Sequence, residues 1–212
     1  MKAVVFVDVQ NDFVKGGNLA FGYPAEDNLP KIIDFAKQCV ADPNCKIYAT
    51  RDTHEATKME LHSDQMVPVS GYLATLEGKK LPVEHCVEGT NGWMVVNDLM
   101  AVLDGKVTYV NKLTFGSYDL VDIINEDFNE TFQYAERLHC NVKCLPKVGG
   151  KLDEIIIVGY CTSICVLANA VLLRAKFPDL KITVMKDLCG DVNEAAHNAA
   201  LQVFAMQQID VI

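Results

Sequence analysis

Six runs rich in β-forming residues recur along this chain, at positions 2–8, 46–51, 106–111, 154–160, 181–186 and 209–212. The segments between them carry helical periodicity, which predicts helices over 27–41, 91–103, 119–127, 129–142, 163–175 and 193–207. Strands that alternate with helices pair in parallel, because the chain must cross over before it can rejoin the sheet in the same direction. The expected fold is therefore α/β: a single domain over residues 1–212, doubly wound, with a mostly parallel six-stranded sheet and helices on both faces. Residues 56–71, rich in Met and polar side chains, interrupt the alternation and read as a loop insertion or lid.

Half of the 212 residues are apolar, enough to build a substantial core without covalent staples. The eight cysteines, Cys39, Cys45, Cys86, Cys140, Cys144, Cys161, Cys165 and Cys189, therefore read as reduced thiols rather than a disulfide framework. Cys140/Cys144 and Cys161/Cys165 lack the CxxC spacing of zinc knuckles. With 28 acids against 19 bases the net charge is −9, and no basic stripe offsets it, which argues against a nucleic-acid partner. Apolar runs such as EIIIVGY fall short of the approximately 20 residues that cross a bilayer. The start, MKAVVFVD, enters a strand with no cleavage-site pattern, so no membrane association and a cytoplasmic location are expected.

In a parallel sheet, ligands bind beyond the carboxyl ends of the strands, near the point where strand order reverses. Asp8, Asp52, Lys112 and Cys165 all fall at or just past such ends. Cys165 follows the strand EIIIVGY and the turn Cys161-Thr162-Ser163, where Thr162 or Ser163 suits a helix N-cap. A thiol in the first turn of a helix has its pKa lowered by the dipole, although for an isolated cysteine burial as a packing residue is the better reading. Asp8 leaves an apolar run, so burial raises its pKa while a cation such as Lys112 lowers it, a combination that tunes a base. For an isolated Asp or Lys, a turn cap and an exposed strand end are the simpler readings. In YATRDTHEA, Asp52 and His54 stand two apart and face the same way on an extended segment. His85, in LPVEHCVEGTNGW, would complete a three-ligand metal site.

The segments VVFVDVQNDFVKGG, KVTYVNKLTFGSYDL and EIIIVGYCTSICVLANA together resemble the isochorismatase-like cysteine hydrolases, in particular their nicotinamidase branch. The resemblance implies a catalytic trio of Asp8, Lys112 and Cys165, with Cys165 attacking an amide to form a thioester. It also implies a cis peptide at Tyr160-Cys161 and an oxyanion hole made by the backbone N–H groups of Cys161 and Cys165. The DxH and HC blocks imply a divalent metal on Asp52, His54 and His85, zinc first with manganese or iron as alternatives, and no nucleotide or flavin. Glu60, His62 and Glu77 are all open as a fourth ligand.

The expected substrate is a small amide, nicotinamide before carbamoyl or ureido compounds, and the expected assembly is a homo-oligomer. A binding protein that retains the fold without turnover is the remaining alternative. Two departures stand out. Ser163 occupies a place where the family more often has Asp, and Leu81 one where nicotinamidases usually have Trp. Substrate contacts are accordingly assigned to Phe13, Leu81 and Tyr118, with Phe115 as a further aromatic. His197 and Trp93 read as packing or capping residues, and His139 has no assigned role.

Overall fold

A computed structural model describes residues 1–128 and 151–212. The helix expected over 129–142, with His139, Cys140 and Cys144, lies outside the described residues. The main sheet contains β1 (Lys2–Val7), β2 (Cys45–Asp52), β5 (Val107–Lys112), β6 (Glu154–Tyr160), β7 (Lys181–Gly190) and β8 (Asp210–Val211), in the order β5-β2-β1-β6-β7-β8. All five pairings are parallel. The doubly wound sheet is thus observed, and strand order reverses between β1 and β6.

The period-two pattern of β1 divides the core. Ala3, Val5 and Val7 point into one apolar layer and Val4 and Phe6 into the other, all without solvent exposure. Helices α4 (Tyr118–Phe128), α5 (Leu167–Lys176) and α6 (Glu194–Met206) cover the first face through residues such as Ile124, Leu173 and Phe204. Helices α1 (Ala25–Ala41) and α3 (Asn97–Leu103) cover the second through Ile32, Ala36, Leu99 and Leu103. Each of the larger side chains stabilises the fold by about 1.5–3 kcal/mol relative to exposure. Gly159 lets β6 approach β1: at its φ of 121°, a Cβ would run into the Val7 carbonyl oxygen.

Between β2 and β5 the structure differs from expectation. Residues 56–71 are largely an antiparallel hairpin, β3 (Lys58–His62) with β4 (Gln65–Ser70), in which Leu61 pairs with Met66. Its two-residue connection, Ser63-Asp64, has φ of 50° and 67°, the left-handed pair that suits strand twist. A short helix, α2 (Leu76–Lys80), follows and is capped by Thr75 Oγ1, which accepts from Gly78 N at 3.0 Å. Helix α3 begins later than the periodicity of 91–103 suggested, because Val95 instead forms a β-bridge with Gln10.

Candidate active site

Asp8 follows the last residue of β1, and Lys112 and Asp52 close β5 and β2. Asp52 and Lys112 are register partners, so the sheet itself sets these side chains against one another. Lys112 Nζ lies 2.7 Å from Asp8 Oδ2, 3.2 Å from Asp52 Oδ1 and 3.5 Å from Cys165 Sγ, and all four residues are buried. Asp8 adopts a left-handed φ of 49°, uncommon for a residue with a Cβ. Thr50 steadies it: the Thr50 hydroxyl donates to Asp8 Oδ1 at 2.6 Å and accepts from Asp8 N at 3.1 Å.

Burial pushes the Asp8 carboxyl above its ordinary range; Lys112 pulls it back and Asp52 pushes it further up. Cys165 departs from expectation. Burial pushes its thiol well above the ordinary pKa; the nearby Lys112 charge pulls it down, and Asp8 and Asp52 add to the rise. Asp8 and the Cys165 thiol thus flank one ammonium, which places a base and its proton source side by side.

The turn that carries the nucleophile is also built differently. Tyr160-Cys161 is cis, as the resemblance implied. Beyond it, Thr162–Val166 form a single π turn, with Val166 N donating to Cys161 O at 3.0 Å, and neither Thr162 nor Ser163 caps it. Asp191, fully buried after β7, holds the turn instead. It accepts from Cys161 Sγ at 2.8 Å, Ser163 N at 2.7 Å, Ser163 Oγ at 3.0 Å and Val192 N at 2.7 Å. Burial and this bond to Asp191 push the Cys161 thiol far up, so it serves as a donor. Thr162 Oγ1 meets His197 Nδ1 at 2.9 Å, the packing role expected of that histidine. Trp93 likewise packs, with the Arg51 guanidinium 4.1 Å from its ring and its Nε1 donating to Thr53 Oγ1 at 2.9 Å.

Beside the trio, Asp52 turns its second oxygen toward two imidazoles. Oδ2 lies 2.9 Å from His54 Nε2 and 3.4 Å from His85 Nε2. Ligand atoms of Asp52, His54, Glu77 and His85 all fall within 4.8 Å of one another. His85 Nδ1 meets the Val83 carbonyl at 2.7 Å, which sets a proton on Nδ1 and turns Nε2 toward the cluster. Tyr72 packs against both rings, tilted to His54 and edge-on to His85, with centroids 4.7 and 4.9 Å away. Burial alone would raise the Asp52 carboxyl, but Lys112 and both imidazoles hold it well below its usual range. Two nitrogens and two carboxylates in this arrangement fit a divalent ion such as zinc, manganese or iron. Among the candidate fourth ligands, Glu77 joins the cluster; Glu60 and His62 lie on the exposed hairpin strand β3.

Both groups open into one cavity of about 590 Å³, lined by Phe13, Leu81, Phe115, His54, His85 and Cys165 among others. Phe13 and Leu81 thus stand where substrate contacts were expected, and Phe21, not foreseen, stacks on Phe13 at 4.9 Å. Tyr118 does not: it opens α4, is 76% exposed and lies outside the cavity lining.

The chain matches the Isochorismatase domain over residues 2–212. It belongs to the isochorismatase family. Among its relatives in this family is the nicotinamidase of Saccharomyces cerevisiae, 28% identical over 211 residues that cover 92% of this chain and 90% of the relative. The structure of the nicotinamidase/pyrazinamidase PncA from Bacillus subtilis superposes with a TM-score of 0.69 at 21% identity, covering 99% and 98% of the two chains. A pyrazinamidase of Pyrococcus horikoshii, solved in complex with zinc, gives 0.67 at 19% identity over 100% and 98%. Likeness at these identities speaks to the family fold, and the chemistry of this member rests on its own residues.

Proposed function

We propose that this isochorismatase-family protein is a cysteine amidohydrolase, with nicotinamide as first substrate, yielding nicotinate and ammonia. The observation that carries the reading is the buried Lys112 ammonium in reach of both Asp8 and Cys165, with Cys165 lining the apolar cavity. Asp8 takes the Cys165 proton as Sγ bonds to the carboxamide carbon. The carbonyl oxygen gains the negative charge and is received by the backbone N–H groups of Cys161 and Cys165. As the C–N bond breaks, Asp8 returns the proton to the departing nitrogen and ammonia leaves. Asp8 then deprotonates a water, which adds to the thioester carbon; the C–S bond breaks, the carboxylic acid leaves and the thiol is restored. Lys112 balances the Asp8 charge throughout, and its elevated pKa keeps it an ammonium despite burial.

Asp52, His54, His85 and Glu77 would hold a divalent metal, which when bound supplies a Lewis acid able to orient a ring nitrogen. The donor set and the fixed His85 tautomer support that role. No helix among the described residues is long and apolar enough to cross a membrane. The six described cysteines are free.

Ammonia release from nicotinamide tests the reading. Release that needs Cys165, stops with a chelator and returns with added metal supports it; no release by folded, metal-loaded protein argues against nicotinamide.

A further inference from the structure

The mouth of the catalytic cavity is apolar in a way that a small polar amide does not require. Leu76 and Leu113 are 70% and 75% exposed, and Phe115, Leu81 and Val192 are also exposed; all five line this one cavity. They come from three separate stretches, around α2, after β5 and after β7. Single exposed leucines are ordinary, but a ring of them around a concave site marks a surface that meets an apolar group.

The rim is also held in place. The Asn169 side chain accepts from Ser117 N at 3.0 Å and donates to Phe115 O at 3.1 Å, tying the Leu113–Phe115 loop to the helix behind Cys165. The Tyr72 hydroxyl donates to Leu81 O at 2.8 Å. These bonds hold the rim backbone at Phe115 and Leu81, so a ligand meets it with little backbone to order. The cavity's volume, about 590 Å³, falls within the roughly 300–1,000 Å³ range of sites that enclose drug-sized ligands, well beyond one substituted ring.

We propose that the substrate is an aromatic carboxamide carrying an apolar extension directed away from the amide, which packs against Leu76, Leu113, Phe115 and Val192. This rests on the amidohydrolase reading for the position of the amide at Cys165. The occupant is a small molecule because the rim is continuous with a pocket whose floor is the buried thiol.

The test is kcat/KM for nicotinamide and for nicotinamides bearing ring-linked methyl, propyl and pentyl chains. The expected result is a rise of about two- to fourfold for each methylene that reaches the rim. In a Leu76→Ser/Leu113→Ser double variant the ratio of pentyl compound to nicotinamide falls about tenfold or more. Where the wild type releases ammonia, a flat or falling series, or an unchanged ratio in the variant, overturns the proposal. Calorimetric titration of the same series onto Cys165→Ala protein separates it from the amidohydrolase reading. Affinity that rises with chain length while the wild type releases no ammonia from any compound removes the amidohydrolase reading and keeps the apolar subsite. Ammonia release with no chain-length trend in rate or affinity does the reverse. A sedimenting dimer that the double variant dissolves, with no such trend, assigns the rim to a second copy and overturns the proposal.

Discussion

Lys112 places its ammonium 2.7 Å from the Asp8 carboxylate, with both groups shut away from solvent. A buried charge that loses its partner is costly, so this pair has consequences for both stability and rate. Lys112→Ala is expected to lower kcat/KM by roughly 10²–10⁴-fold and to destabilise the fold by about 3–5 kcal/mol, read by chemical denaturation. Lys112→Arg should not rescue activity, since a planar guanidinium cannot replace a compact ammonium wedged between Asp8, Asp52 and Cys165. Near-normal turnover in Lys112→Ala would remove the pairing from the mechanism.

The directions of the pKa shifts fix the shape of the pH profile. Catalysis needs ionised Asp8, whose pKa is raised chiefly by burial, so kcat/KM falls toward acid with a midpoint above the ordinary aspartate value of about 3.9. The Cys165 thiol is raised well above its ordinary value, so thiolate does not accumulate at neutral pH. The difference in ultraviolet thiolate absorbance between wild type and Cys165→Ala should be near zero at neutral pH and grow only in strong base. A thiolate signal at neutral pH would show an ion-pair nucleophile instead.

Removing His85 or Glu77 tests the metal cluster apart from turnover. His85→Ala is expected to weaken metal affinity by at least about 10–100-fold, measured as metal retained after dialysis. Chelation of the wild type should lower its Tm, since an ion that binds only the native state stabilises by mass action. Equal metal content in wild type and His85→Ala would rule out the cluster as the binding site.

Asp191 touches neither the cavity nor the thiol of Cys165, yet it gathers four donors around the turn that presents that thiol. Asp191→Asn keeps the shape but loses acceptor capacity. It is expected to reduce kcat by on the order of 10²-fold with a smaller change in KM, as misplacement of reacting groups does. Asp191→Glu should not restore kcat. A purely structural Asp191 would lower Tm and leave the kcat of the folded fraction unchanged.

What could be read from the residues was whatever repeats locally. The β/α alternation, the sixth short strand and the arrival of Asp8, Asp52, Lys112 and Cys165 at one sheet edge follow from periodicity and strand ends. The hairpin did not show, because all five residues of β3 are exposed and no buried face imposes a pattern. The supports of the site escaped for a different reason. Thr50 and Asp8 are 42 positions apart, Asp191 and Ser163 28, and Ser117 and Asn169 52, so no local spacing signals them. The direction of the thiol's pKa shift is not legible from the residues, because a helix start shows in the sequence and the burial of Cys165 does not. Glu77 could not be separated from Glu60 and His62 until α2 placed it beside His85.

Turnover is expected to pass through a covalent adduct on Cys165, which rapid quenching can trap. Wild-type protein mixed with nicotinamide, quenched in acid within its first turnovers and digested should yield a nicotinoyl thioester on the peptide containing Cys165, seen by mass spectrometry. The adduct should be absent from Cys165→Ala and should not form in Asp8→Asn. Ammonia release without any adduct on Cys165, or with an adduct on Cys161 instead, would contradict the account.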